Sequence, residues 1–161
     1  MKTLVVYYSL EGNTELVAKQ IQKRAGADLL KLVPKKAYKD KGLSKFLWGG
    51  KSAVMAESPE LEDFSLDLSA YERIIFGFPV WASTFAPPLR TFVERYQPQL
   101  QGKKLVAFAC QSGTGAEKAF AKLAKCIGVE GFEKTVVFID PKSRPKAEKT
   151  GQIEAFCEAM Q

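Results

Sequence analysis

Histidine is absent from this chain. Ser-His-Asp and Cys-His catalysis, histidine-ligated zinc and imidazole acid–base chemistry are thereby excluded. Cysteine is scarce: Cys110, Cys126 and Cys157 are too few and too widely spaced for a disulfide framework, a CxxC redox pair or a cysteine-rich metal site, and they suit a reducing cytoplasm. No apolar run approaches the length of a membrane span. The N-terminal Met1-Lys2-Thr3-Leu4-Val5-Val6 passes directly into a strand-like run without the features of a signal peptide, so a cytoplasmic location is expected and membrane insertion is not. Neither the GxxxxGK(S/T) spacing of a nucleoside triphosphate loop nor GxGxxG occurs. Six residues beyond Cys110 stands Ala116 instead of the arginine of a Cys-x5-Arg phosphatase. Tyr7-Tyr8-Ser9 occupies the place where a receiver domain carries its acidic cluster.

What is present describes one globular domain. The chain has 161 residues, 46% apolar, 26% charged and 11% aromatic, enough to bury a core without metals or disulfides. A single domain over residues 1–161 is expected. The formal charge of +6 has one source: between Lys31 and Lys51 lie seven lysines (31, 35, 36, 39, 41, 45, 51) against one acid, Asp40, and the rest of the chain is neutral. A run of this kind is either a solvated face or a docking surface for an acidic partner. It has only scattered aromatics and no recognised module, so nucleic acid is not an expected partner.

Runs rich in β-branched and aromatic residues recur at residues 3–8, 28–33, 73–79, 103–110 and 132–139, giving five expected strands. Helical spacing fills residues 14–24, 87–96, 116–127 and 147–160. Alternation of this kind predicts an α/β fold, a doubly wound parallel sheet with helices on both faces, three layers in all. The connection from Pro34 to Tyr71 is long and mixed, with a short helix expected at residues 43–55 around Trp48-Gly49-Gly50.

In such sheets ligands bind beyond the carboxyl ends of the strands, where strand order reverses, and the unusual residues of this sequence collect there. After strand one comes Ser9-Leu10-Glu11-Gly12-Asn13-Thr14. Backbone N–H groups at a helix start, flanked by hydroxyls and an amide, suit one phosphate monoester. The plainer reading is that Asn13 or Thr14 caps the helix. After strand three comes Pro79-Val80-Trp81-Ala82-Ser83-Thr84-Phe85, whose aromatics among small residues suit a flat conjugated ring; the plainer reading makes Trp81 and Phe85 a cover for the sheet edge. After strand four comes Cys110-Gln111-Ser112-Gly113-Thr114-Gly115, where two glycines free backbone N–H groups and Gln111 and Ser112 offer hydrogen bonds. Cys110 reads as a buried strand-end residue, not a nucleophile.

Together the three loops resemble the flavodoxin family: S-x-x-G-N-T after strand one, G-x-P-x-W after strand three and S-G-x-G after strand four, in the right order across essentially the whole chain. The resemblance implies strand order 2-1-3-4-5 and bound FMN. Its phosphate would lie over Ser9 to Thr14 and its ring between residues 79–85 and 111–115. Glu11 stands where many members have threonine, and repulsion from a phosphate would turn its side chain to solvent. The tyrosine that many members stack on the flavin is missing from the third loop, leaving Trp81 as the leading stacking aromatic and Trp48 as a weaker one.

The resemblance points to an FMN-binding electron-transfer protein that exchanges electrons with a partner oxidoreductase, no side chain acting as acid, base or nucleophile. Two alternatives stay open: a small FMN-dependent NAD(P)H:quinone or substrate reductase, and an interaction module of the same fold without cofactor. Family members that carry electrons are typically acidic, whereas this chain holds its net charge in lysines 31–51; either the redox partner presents an acidic docking face or the chain is not a general carrier.

Overall fold

The computed structural model describes residues 1–38, 56–145 and 147–161. The expected short helix at residues 43–55, Trp48 and lysines 39, 41, 45 and 51 lie outside the described residues.

Five strands form one parallel sheet: β1 (Thr3–Tyr7), β2 (Asp28–Lys31), β3 (Arg73–Pro79), β4 (Lys104–Gln111) and β5 (Lys134–Ile139). Their order is β2-β1-β3-β4-β5, the order that the resemblance implies. Four helices accompany them: α1 (Asn13–Ala25), α2 (Pro87–Leu100), α3 (Ala116–Ile127) and α4 (Ala147–Glu158). Val5 pairs with Leu29 on one side and Ile75 on the other, and Ile75 pairs in turn with Val106. The central strands are buried on both faces, which is why they read as continuous apolar runs. The edge strands β2 and β5 are only partly buried.

Because side chains alternate along a strand, the sheet feeds two separate cores. Leu4, Val6, Ile74 and Phe76 face α2 and α3, packing with Leu89, Phe92, Phe120 and Leu123. Val5, Ile75, Val106 and Phe108 face α1 and α4, packing with Val17, Ile21, Ile153 and Phe156. This is the expected three-layer arrangement. Gly77 in β3 is dictated by packing: a Cβ there would lie 2.2 Å from Cζ of Phe108 on the neighbouring strand.

Several boundaries shift by one or two residues from expectation, and two of the differences have a clear physical cause. Helix α2 runs past residue 96, through Pro98, to Leu100. Pro98 costs a backbone hydrogen bond, but the added turn buries Leu100 completely. The side-chain amides of Gln97 and Gln101 both donate to the Ile127 carbonyl, at 2.9 and 3.0 Å, tying the ends of α2 and α3 together. The second difference is at β2, which ends at Lys31 as a ladder although the Leu32 N–H still reaches the Tyr7 carbonyl at 2.8 Å. Further on, Pro34 and Leu61 form an antiparallel bridge, and Thr91 Oγ1 donates to the Pro59 carbonyl at 2.6 Å. The returning chain at residues 58–62 is thereby fastened across the edge of the sheet and onto α2.

Candidate functional site

The carboxyl ends of β1, β3, β4 and β5 open into a cleft of about 520 Å³, part of it open to solvent. Its first wall is the β1–α1 turn. Ser9 Oγ accepts a hydrogen bond from the Glu15 N–H at 3.1 Å, so Ser9 caps α1, whose N-cap residue is Gly12 at φ 101°. Neither Asn13 nor Thr14 does the capping. The Asn13 Oδ1 accepts from the Lys142 N–H at 2.9 Å. Thr14 borders the cleft and is 1% exposed, and its Oγ1 has no hydrogen-bond partner. A buried hydroxyl without a partner costs free energy and is uncommon. An oxyanion at the start of α1 would satisfy it, together with the helix N–H groups that have no partner within the helix. The residues present therefore fit a phosphate monoester. Glu11 borders the cleft and is exposed, in keeping with the expected orientation.

The second wall is Pro79-Val80-Trp81. The Val80 N–H donates to the Cys110 carbonyl at 2.9 Å, and Trp81 and Thr84 exchange two backbone hydrogen bonds at 3.0 and 2.9 Å. The two residues between them, Ala82 and Ser83, have φ of 52° and 58°, left-handed values that a type I′ turn demands and that glycine or asparagine usually supply. The turn is braced from outside. Lys122 Nζ donates to Thr84 Oγ1 at 2.9 Å, and Ser83 lies so close to Gly115 that a Cβ there would sit 2.6 Å from Ser83 Oγ. Gly115, at φ 109°, starts α3. This bracing holds Trp81 at the mouth of the cleft, edge-on to Tyr8 (centroids 5.6 Å, 81°) and to Tyr38 (5.2 Å, 72°).

Phe85 does not join that face. It is 1% exposed, packs against Phe78 and carries the Arg90 guanidinium over its ring at 5.0 Å. The chain has by then turned inward toward α2, and Phe85 belongs to the core on that side of the sheet. Ala82, Ser83 and Thr84 are likewise outside the cleft wall, shaping the turn that presents Trp81.

The third wall is Cys110, Gln111 and Ser112. The Gln111 Oε1 accepts from the Ala116 N–H at 3.0 Å, capping α3, and Ser112 Oγ donates to Asp140 Oδ1 at 2.6 Å. Cys110 is buried and is not in a disulfide; Gly113 has open space around it. Gly12, Gly113 and Gly115 contribute backbone shape but no wall.

Two groups escaped the sequence reading. Tyr8 and Tyr38 complete the aromatic cluster around Trp81, and burial, followed by the proximity of Tyr38, pushes the Tyr8 phenol well above its ordinary pKa. Asp140 lines the cleft from the turn after β5. The rule that selected the other loops applies equally to a turn after the fifth strand, so position alone was the available signal. Behind the first wall, the Tyr7 phenol donates to Glu15 Oε1 at 3.3 Å. Burial, then the Glu15 charge and this bond, push the Tyr7 pKa up to about 12. Burial would raise the Glu15 pKa, but the hydrogen bond and charge of Lys31, with Lys19 and Tyr7, hold it below the usual carboxylate value. Among the described residues no helix is long and apolar enough to cross a membrane.

Comparison with known proteins agrees with this geometry. A flavoprotein from Lactobacillus acidophilus solved in complex with FMN superposes with a TM-score of 0.73 at 19% identity, over 88% of this chain and 95% of that one. A Bacteroides eggerthii protein described as a flavoprotein gives 0.76 at 22% identity, over 98% and 96%. The two-electron reduced flavodoxin of Megasphaera elsdenii gives 0.55 at 18% identity, over 94% and 96%. The flavodoxin family model matches residues 2–152, and the chain belongs to the flavodoxin family.

Proposed function

We propose that this protein binds FMN in the cleft and exchanges electrons between the bound flavin and a partner oxidoreductase. The observation that carries the reading is the buried, unpartnered Thr14 hydroxyl at the start of α1, a donor and a helix terminus awaiting an oxyanion. The Lactobacillus acidophilus flavoprotein, which holds FMN, shares the fold and lends support.

In this reading Ser9, Asn13 and Thr14, with the backbone of Leu10, Glu11 and Gly12, hold the phosphate. Pro79, Val80 and Trp81 flank one side of the flavin ring, and Cys110, Gln111, Ser112, Gly113 and Gly115 the other. Ala82, Ser83 and Thr84 keep Trp81 in place. The bound flavin supplies the redox chemistry. The protein's contribution is to grip the phosphate end, present Trp81 to the ring and line the site with apolar groups such as Leu10, Val80 and Cys110, which bias it against water. None of these tasks needs a proton-transferring side chain.

The partner would dock an acidic face on the lysine-rich segment. Lys31 is ion-paired with Glu15 and Lys35 with Glu60, while Lys36 is exposed. Three cysteines outside any disulfide fit a reducing cytoplasm. Stepwise anaerobic reduction of the FMN-loaded protein tests the assignment: two one-electron stages are expected of a carrier. Direct two-electron bleaching by NADH or NADPH alone would make it a self-sufficient reductase instead.

A further inference from the structure

The turn after β5 does more than close the fifth strand. Asp140 adopts φ 39°, its N–H donates to the Gln111 carbonyl at 3.1 Å, and its carboxylate takes the Ser112 hydroxyl and pairs with the Arg144 guanidinium at 3.6 Å. The Arg144 N–H closes the turn on the Asp140 carbonyl at 2.8 Å. Held this way, the turn lays Lys142 across the β1–α1 loop. The Lys142 N–H donates to Asn13 Oδ1 at 2.9 Å, its ammonium donates to the Glu11 carbonyl at 3.1 Å, and its chain lies on Gly12, where a Cβ would sit 3.2 Å from Nζ and 3.4 Å from Cδ.

Charge makes this placement consequential. The cleft wall carries two carboxylates, Glu11 and Asp140, and no lysine or arginine. A phosphate monoester brings close to two further negative charges. The α1 terminus offsets only about half a charge. Arg144 is committed to Asp140, whereas Lys142 makes no ion pair among the described residues. An ammonium has three donors, and one protein acceptor, the Glu11 carbonyl, leaves two for a ligand.

The geometry points to Lys142 as the counter-charge for the phosphate, the residue that makes the site prefer a phosphorylated flavin to the same flavin without phosphate. This rests on the FMN reading above and adds a specificity determinant from a loop other than the three whose motifs carry the family resemblance. The Lys142 N–H that clamps Asn13 is kept when the side chain becomes Gln or Arg, so loss of the ammonium can be separated from loss of the loop.

The test is titration of wild type, Lys142→Gln and Lys142→Arg with FMN and with riboflavin, followed by flavin fluorescence at low and high salt. Lys142→Gln should weaken FMN binding about tenfold, shift riboflavin binding by less than about twofold and flatten the salt dependence of FMN binding; Lys142→Arg should restore most of it. Equal weakening for both flavins, or no weakening for FMN, would overturn the proposal and assign Lys142 a purely structural role. Wild type that binds neither flavin would remove the FMN reading and this inference with it. Wild type that binds FMN while the variant keeps the same preference would remove the inference alone.

Discussion

Replacing Thr14 by valine should stabilise the cofactor-free protein while weakening its grip on FMN. The side chain is 1% exposed and its Oγ1 has no partner, so the apo fold carries the desolvation cost of a hydroxyl with nothing in return. Removing that hydroxyl should recover about 1 kcal/mol, or roughly 2–4 °C in Tm for a chain of this length. Valine keeps the β-branch and nearly the shape. With FMN bound, the same hydroxyl would donate to an anionic oxygen, a bond of about 1.5–3 kcal/mol, and its loss should raise the Kd roughly 10- to 150-fold. Thermal melts of the apo protein and a fluorescence titration with FMN read the two signs separately. A Thr14→Val protein that is less stable without FMN, or that binds FMN as tightly as wild type, would refute the assignment of Thr14 as a phosphate donor.

Three further outcomes follow from the packing and electrostatics. Gly77→Ala, whose Cβ would lie 2.2 Å from the Phe108 ring, should cost about 1–3 kcal/mol, read as a lower urea midpoint. Ala82→Gly should relieve a left-handed alanine and add about 1 kcal/mol to apo stability in the same assay, provided the turn holds its place. Because the Glu15 pKa is lowered in the folded state, its contribution is complete above the unfolded carboxylate pKa and disappears as pH falls through the folded value. Glu15→Gln should accordingly flatten the acid limb of stability against pH in urea titrations.

The sheet was legible because β1, β3 and β4 are buried on both faces and betray themselves as uninterrupted apolar runs. The helices were legible from their one-sided apolar spacing. The end of α2 was not, since Pro98 argues locally for a stop, and only the burial of Leu100 in the core outweighs it. Three loops of the candidate site were found by position and residue type, but roles within them depend on direction. Phe85 differs from Trp81 only in which way the chain turns after a two-residue hairpin. Ser9, not Thr14, caps α1 because the Gly12 backbone swings the loop back over the helix start. Tyr8, Tyr38 and Lys142 enter through contacts between segments distant in sequence, which no local pattern records.

Whether the cleft takes FMN is decided by an absorption and fluorescence titration of the purified apo protein with FMN. Saturable quenching of flavin fluorescence at one FMN per chain is expected, with visible bands shifted from those of free FMN. Bands and fluorescence that remain those of free FMN at every protein concentration would contradict it, leaving a flavodoxin-family chain that serves as an interaction module without cofactor.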